Sequence, residues 1–137
     1  GKRVILIDDS IVRGTTSIKI VRMMRDAGAT EVHMRIASPP IKFPDYYGID
    51  TPVKEQLLAA NNSLEDMSDF IGVNSLAFLT VDGLYKAMGH DAGRDPNDPF
   101  FTDHCFTGDY PTKLRDLNRE DGVRQPSLLS ELRKEPA

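Results

Sequence analysis

A run of four aliphatic residues near the start of the chain, Val4-Ile5-Leu6-Ile7, constrains the fold more than any other feature. Aliphatic and β-branched runs of this length are typical of a strand buried on both faces of a parallel sheet. Apolar residues at helical spacing then predict a helix that ends near Ala27 and stops at Gly28. A second strand is predicted over 31–37, which completes a strand–helix–strand crossover between parallel strands. The sequence therefore predicts an α/β fold.

Less regular segments follow the second predicted strand. Residues 38–52 hold four of the nine prolines, so they cannot continue a helix or a central strand and are predicted to form an ordered loop. The region beyond Gly89 is rich in Gly, Pro and Asp, which predicts an extended tail with one short helix over 128–132. The elements predicted between the loop and the tail are helices over 52–60, 63–72 and 81–88 and a strand over 75–79.

The size and charge of the chain limit the classes of function. Its 137 residues suffice for one hydrophobic core, and 39% hydrophobic with 28% charged residues is a globular composition. The net charge is −4, from 17 basic and 21 acidic residues, which argues against general binding to nucleic acid. Residues 1–25 carry six basic and two acidic side chains, so an anionic ligand is expected near the start of the chain.

Cysteine content and hydropathy bear on the compartment. Cys105 is the only cysteine, which excludes an intramolecular disulfide and favours the reducing cytoplasm. The longest apolar runs are far too short to cross a bilayer. We therefore predict a cytoplasmic protein with no membrane partner.

The loop between the first strand and the first helix carries the residues with the most chemistry. Asp8 and Asp9 come directly after the strand, at the edge where open α/β sheets place their ligands. Adjacent carboxylates need hydroxyl donors or a divalent cation as companions. Arg13 and the segment 14–17, Gly-Thr-Thr-Ser, offer hydroxyls and backbone N–H groups at a helix N-terminus, which favours phosphate. This combination predicts a site for a ribose 5-phosphate.

The strand, the two acidic residues and the Gly-Thr-Thr segment, residues 4–16, closely resemble the binding motif of type I phosphoribosyltransferases. Within that class, most of the chain resembles the C-terminal part of the glutamine phosphoribosylpyrophosphate amidotransferases. The further stretches that carry this resemblance are residues 37–40, 47–50, 75–83 and 105–112.

The resemblance implies a reaction and a site. Ammonia released from glutamine would displace the pyrophosphate of phosphoribosylpyrophosphate (PRPP), giving phosphoribosylamine in the first step of purine (IMP) biosynthesis. Asp8 and Asp9 would hold the ribose hydroxyls and Mg²⁺, and no residue of the chain is assigned as catalytic. The 5-phosphate would be held by Ser10, Ile11, Val12, Arg13, Gly14, Thr15, Thr16 and Ser17.

The same resemblance implies how the chain is organised. Residues 1–88 would be the C-terminal half of a phosphoribosyltransferase domain, and 89–137 a tail that packs on the parent enzyme. The sequence opens with Gly1, and the family's N-terminal glutaminase domain, with its cysteine nucleophile, is expected to lie outside it. PRPP and glutamine are the implied substrates, the parent is expected to be a homo-oligomer, and the isolated segment is expected to be inactive.

One departure from the family concerns an iron–sulfur cluster that some members carry. Those members place a cysteine pair just before Phe-Thr-Gly. Here Cys105 takes the second position and Thr102 the first. We therefore expect no cluster.

Other interpretations of the sequence stay open at this point. Val-Ile-Leu-Ile-Asp-Asp-Ser also resembles the first strand of phosphoacceptor receiver domains, with Asp50 as the phosphorylated residue and Thr80 as the switch hydroxyl. A salvage or regulatory phosphoribosyltransferase would share the phosphate loop, and a purely structural fragment is a third alternative. A further hypothesis is a zinc site formed by His90, Asp103, His104 and Cys105. Their spacing argues against it, because it fits no familiar ligand pattern.

Overall fold

Three parallel strands form the sheet of this protein. The computed structural model describes residues 1–114. The strands β1 (Lys2–Asp8), β2 (Ala29–Ile36) and β3 (Ser75–Phe78) lie side by side in the order β1-β2-β3. Both strand pairs are parallel, with Ile5 opposite His33 in the register. The predicted α/β class and the parallel crossover are confirmed.

Five α-helices and one 3-10 turn connect and cover the strands of the described part of the chain. The 3-10 turn spans Lys54–Gln56. The helices are α1 (Thr15–Asp26), α2 (Leu58–Asn61), α3 (Leu64–Ile71), α4 (Val81–Ala87) and α5 (His104–Thr107). None of these helices is long and apolar enough to cross a membrane.

The hydrophobic core lies on one face of the sheet, between the strands and helices α1 and α3. Val32 and Met34 of β2 are completely buried, and Val21 of α1 and Met67 of α3 pack in the same cluster. Alternate residues of a strand point to opposite faces, so these side chains fix which face of the sheet is covered.

The opposite face of the sheet is open in the described residues, which corrects the prediction that the first strand is buried on both sides. Ile5 is 68% exposed and Ile7 is 73% exposed. The cause is that helices α1 and α3 both pack on the other face of the sheet. The aliphatic run therefore predicts a strand correctly, but not the elements that would cover it.

A second correction concerns the predicted helix over 52–60. The structure divides it into the 3-10 turn and α2, separated by Leu57 in an extended conformation with φ −79° and ψ 117°. The Leu57 side chain is fully buried. Burial of this leucine accompanies the break in the helical backbone, a non-local effect that helical propensity does not describe.

Local signals set the ends of α3 and α4 as predicted. The Ser63 hydroxyl accepts from the Asp66 backbone N–H (3.1 Å), while the Asp66 carboxylate accepts from the Ser63 backbone N–H (3.1 Å). This is a capping box, and the Ser63 side chain lowers the pKa of Asp66. α3 ends at Gly72, and the Thr80 hydroxyl caps α4 by accepting from the Gly83 N–H (2.9 Å).

Residues 89–114, the first part of the predicted tail, pack on the rest of the chain. The backbone N–H groups of Lys42 and Phe43 donate to the Cys105 carbonyl at 2.9 and 3.1 Å. The Tyr110 hydroxyl donates to the Pro44 carbonyl (2.8 Å). The helix predicted over 128–132 lies outside the described residues.

The buried carboxylate of Asp103 ties this segment to α4. The Arg94 guanidinium donates through Nε to Asp103 Oδ2 (2.6 Å), and the Tyr85 hydroxyl donates to the same oxygen (2.8 Å). Burial alone would raise the pKa of the Asp103 carboxyl, but hydrogen bonds from Arg94, Tyr85 and Thr107 outweigh burial and lower the pKa. The guanidinium also donates through Nη2 to the more exposed carboxylate of Asp109 (2.7 Å).

We expect Asp103→Asn to lower the free energy of unfolding by roughly 2 kcal/mol, since it leaves the partly buried guanidinium of Arg94 short of a charged partner. Asp109→Asn is the matched control, and we expect it to cost less than about 1 kcal/mol because its side chain is 51% exposed. Thermal unfolding of the full-length protein measures both.

The Asp103 carboxyl has a folded pKa below its unfolded value of about 3.9. The contribution of this carboxylate to the free energy of unfolding is therefore complete above about pH 4 and declines as the pH falls. Equal shifts for the two variants at pH 7 would contradict this assignment.

Candidate functional site

The two adjacent carboxylates lie at the carboxyl end of β1. Asp8 is the last residue of the strand, and its carbonyl accepts from the Ala37 N–H that follows β2 (2.9 Å). The Asp8 side chain accepts from the Asp9 backbone N–H (3.0 Å), and the Ser10 hydroxyl donates to Asp9 Oδ1 (3.3 Å). These contacts orient the start of the loop, while Asp9 remains exposed to solvent.

The N-terminus of α1 closes the same loop. Gly14 is the N-cap residue, with φ 77°, and its carbonyl accepts the first helical hydrogen bond from the Ile18 N–H (3.0 Å). The N–H groups of residues 15–17 therefore precede the first intrahelical bond. In the described residues, no side chain caps this end of the helix, and the first turn has no acidic residue. Such an N-terminus attracts an anion through its N–H groups and the helix dipole.

The two carboxylates and the N-terminus of α1 line one cleft of about 280 Å³. Its walls are built by all ten residues that the sequence singled out, namely Asp8, Asp9, Ser10, Ile11, Val12, Arg13, Gly14, Thr15, Thr16 and Ser17. The structure thus brings together carboxylates at one end of a cleft and helix N–H groups at the other. The role of each residue in binding stays a prediction.

Leu58 and Phe70, which sequence reasoning did not identify, contact the loop at residues 8–17. The Leu58 N–H donates to the Val12 carbonyl (2.9 Å), and the Ile11 side chain is buried in the core. A Cβ atom added to Gly14 would lie 2.8 Å from Leu58 Cδ2 and 3.3 Å from Phe70 Cε1. Glycine is therefore favoured at position 14 by its positive φ, and a larger residue there would have to displace the Leu58 side chain.

Arg13 has a partner at the mouth of the cleft. Its Nε and Nη2 both donate to Gln56 Oε1, at 3.3 and 3.1 Å, and both side chains are exposed. The two residues are 43 positions apart in the sequence. Only the fold reveals this contact, because no local pattern links the 3-10 turn to the loop at residues 8–17.

A second polar cluster joins the proline-rich loop to the tail segment. Asp45 Oδ2 accepts from His104 Nε2 at 2.6 Å, and Asp45 Oδ1 accepts from the N–H groups of Tyr47 and Ile49, both at 2.8 Å. Burial would raise the pKa of Asp45, yet these hydrogen bonds lower it. Within residues 1–114, His104 Nδ1 is buried without a hydrogen-bond partner, so the ring is held through Nε2 alone. This cluster is a structural connection.

The cluster offers no convincing zinc site. The metal-binding atoms of Asp45, His104 and Cys105 lie within 4.8 Å of one another. However, ligand atoms of a tetrahedral zinc ion are roughly 3.3 Å apart, whereas the Asp45 and His104 atoms are at hydrogen-bond distance. Burial also raises the pKa of the Cys105 thiol, which disfavours the thiolate. The other two residues of the predicted zinc site have different partners. Asp103 is paired with Arg94, and the ring centroid of His90 lies 4.4 Å from that of Phe100.

The receiver-domain hypothesis is not supported by the fold. Asp50 is an exposed residue of the proline-rich loop, fourteen positions beyond the end of β2 at Ile36, and not at the end of a strand. Thr80 is occupied as the N-cap of α4. The phosphoacceptor and switch positions of such a domain are therefore missing at these residues.

Comparisons with known proteins separate the remaining alternatives. No protein-family model matches the chain. The amidophosphoribosyltransferase of Rhizobium etli is 59% identical over 131 residues, which is 95% of this chain and 26% of that protein. The chain belongs to the amidophosphoribosyltransferase family. The Bacillus subtilis amidophosphoribosyltransferase is 52% identical over 114 residues, 83% of this chain and 24% of that enzyme.

Solved structures of this family share the fold. The glutamine PRPP amidotransferase of B. subtilis, complexed with ADP and GMP, has a TM-score of 0.75 and 51% identity, and covers 85% of this chain. A structure described as the allosteric regulatory enzyme of purine biosynthesis has a TM-score of 0.73 and 50% identity. The predicted partial phosphoribosyltransferase fold is confirmed. The chain spans about a quarter of the length of its amidophosphoribosyltransferase relatives.

Proposed function

We propose that this chain is the PRPP-binding segment of an amidophosphoribosyltransferase, which forms 5-phosphoribosylamine from PRPP and glutamine-derived ammonia in the first step of purine biosynthesis. The observation that carries the proposal is 59% identity to the R. etli amidophosphoribosyltransferase over 95% of the chain. The cleft at residues 8–17 supports it, because it offers groups for both ends of a ribose 5-phosphate.

In this reaction ammonia attacks the anomeric carbon of PRPP. The bond from that carbon to the pyrophosphate oxygen breaks, its electron pair leaves with pyrophosphate, and the new ammonium group loses a proton. The positive charge that develops on the ribose needs an immobilised sugar and a stabilised leaving group. We assign ribose hydroxyl binding to Asp8 and Asp9, and 5-phosphate binding to the N–H groups and hydroxyls of residues 10–17.

A magnesium ion is the cofactor that we propose for this segment. Exposed carboxylate oxygens at the end of a strand are the ligands that this hard cation prefers, and Asp8 and Asp9 would hold it together with substrate oxygens. When bound, Mg²⁺ neutralises the charge of the leaving pyrophosphate.

An iron–sulfur cluster does not fit the residues of this chain. Such clusters are held by cysteine thiolates, and the sequence has one cysteine, Cys105, with Thr102 at the other family position. The Cys105 neighbours Asp45 and His104 instead bind one another. We propose that the parent enzyme works without a cluster, as a cytoplasmic homo-oligomer whose glutamine site lies outside this segment.

Steady-state assays of the full-length protein test the proposed function. We expect pyrophosphate release from PRPP with either glutamine or ammonium chloride as the nitrogen donor, and none with adenine or hypoxanthine. Release that requires a nucleobase would identify a salvage phosphoribosyltransferase and overturn the proposal. Absence of turnover with both nitrogen donors in a folded protein would also overturn it.

A further inference from the structure

We infer that Gln56 is a positioning residue of the 5-phosphate subsite: its neutral amide oxygen orients Arg13 toward the anion without cancelling the charge of the guanidinium. This inference deepens the proposed function and rests on it. Gln56 is not part of the phosphate loop and lies in the 3-10 turn.

The hydrogen bonds define the orientation of the arginine. Arg13 uses Nε and one Nη2 donor on the single oxygen Gln56 Oε1. Arginine has five N–H donors, so its remaining donors stay available to a phosphate. Since Arg13 lines the cleft together with Gly14 and Thr15, a fixed guanidinium lowers the entropy lost when the anion binds.

The choice of an amide rather than a carboxylate has an electrostatic consequence. A glutamate at position 56 would accept the same hydrogen bonds, but it would pair its charge with that of Arg13 and compete with the phosphate. The cleft already contains Asp8 and Asp9. A further negative charge at the phosphate end would therefore weaken the attraction for an anion.

Backbone hydrogen bonds hold the turn that carries Gln56. Gln56 N–H donates to the Val53 carbonyl (2.9 Å), and Leu57 N–H donates to the Lys54 carbonyl (3.1 Å). Two residues later, the Leu58 backbone N–H donates a hydrogen bond to the Val12 carbonyl of the loop. The turn that carries Gln56 is thus fixed to the loop that carries Arg13.

Three variants of the full-length enzyme separate orientation from charge. Gln56→Met keeps the length of the side chain but removes the acceptor. Gln56→Glu keeps the acceptor and adds a charge. The double variant Glu55→Gln with Gln56→Glu keeps the net charge constant and moves the carboxylate one position, and Glu55→Gln alone is its control.

We expect the PRPP KM, measured with ammonium chloride as nitrogen donor, to rise roughly twofold in Gln56→Met and roughly five- to tenfold in Gln56→Glu and the double variant. The kcat values should stay within about twofold of the wild type, and the KM differences between Gln56→Glu and Gln56→Met should shrink at high salt because exposed charges are screened.

Two results would overturn the inference while the wild type remains active. One is a KM for Gln56→Glu equal to or below that of Gln56→Met. The other is an equal loss of kcat in all Gln56 variants, which would indicate a merely structural role. A wild-type enzyme without PRPP turnover would instead overturn the proposed function itself, so the two failures are distinguishable.

Discussion

Replacing Asp8 and Asp9 together by asparagine is expected to lower kcat/KM for PRPP in the full-length enzyme by roughly 10²- to 10³-fold, the range found when a group that stabilises the transition state is removed. Asparagine has nearly the same shape, but it loses the charge that favours hydroxyl donors and a divalent cation. The loss should appear in kcat as well as KM, because under the proposed function the carboxylates would face a sugar whose positive charge grows in the transition state.

The matched control for this change is Asp26→Asn. Asp26 is the last residue of α1, at the end of the helix opposite to the cleft, and its side chain is exposed. We expect its kcat/KM to stay within about twofold of the wild type. Thermal unfolding of all variants shows whether the fold is retained. A double variant at Asp8 and Asp9 that is folded and as active as Asp26→Asn would refute the assignment of both carboxylates.

The second large effect is expected from Gly14→Ala. The added methyl would meet Leu58 Cδ2 at 2.8 Å while the backbone keeps a φ of 77°. A left-handed conformation costs a non-glycine residue roughly 1–2 kcal/mol, and overpacking adds a similar amount. We expect a loss of roughly 3 kcal/mol in the free energy of unfolding, seen as a lower thermal midpoint, together with weaker binding of PRPP.

Gly72→Ala separates the two causes. Gly72 has a similar φ of 81°, but a Cβ there would meet nothing within 4 Å. We expect a loss of about 1 kcal/mol and unchanged affinity for PRPP. If Gly14→Ala and Gly72→Ala were equally destabilising, the packing of Leu58 and Phe70 against the loop would play no part.

Local patterns predicted the part of the fold that positions the site. The aliphatic run, the acidic pair and Gly14 lie within the first fourteen residues, and their strand–loop–helix order follows from neighbouring residues alone. The helix predicted over 63–72 is equally local, because the capping box of Ser63 and Asp66 at its start involves residues only three positions apart.

The features that sequence reasoning missed depend on contacts between distant segments. Gln56 reaches Arg13 across 43 positions, and Asp45 reaches His104 across 59 positions. The exposure of Ile5 was also missed, because the pattern of a strand does not state what covers it. Such contacts depend on how the elements pack, which propensities and motifs do not encode.

Hydrogen–deuterium exchange of the full-length enzyme, with and without saturating PRPP and Mg²⁺, tests most directly whether the loop at residues 8–17 holds the substrate. We expect slower exchange in peptides that cover residues 9–17, because the N–H groups before the first helical bond would donate to the phosphate. Peptides within α3 should not change. Exchange of residues 9–17 that is unaffected by bound PRPP would show that this loop does not hold the 5-phosphate.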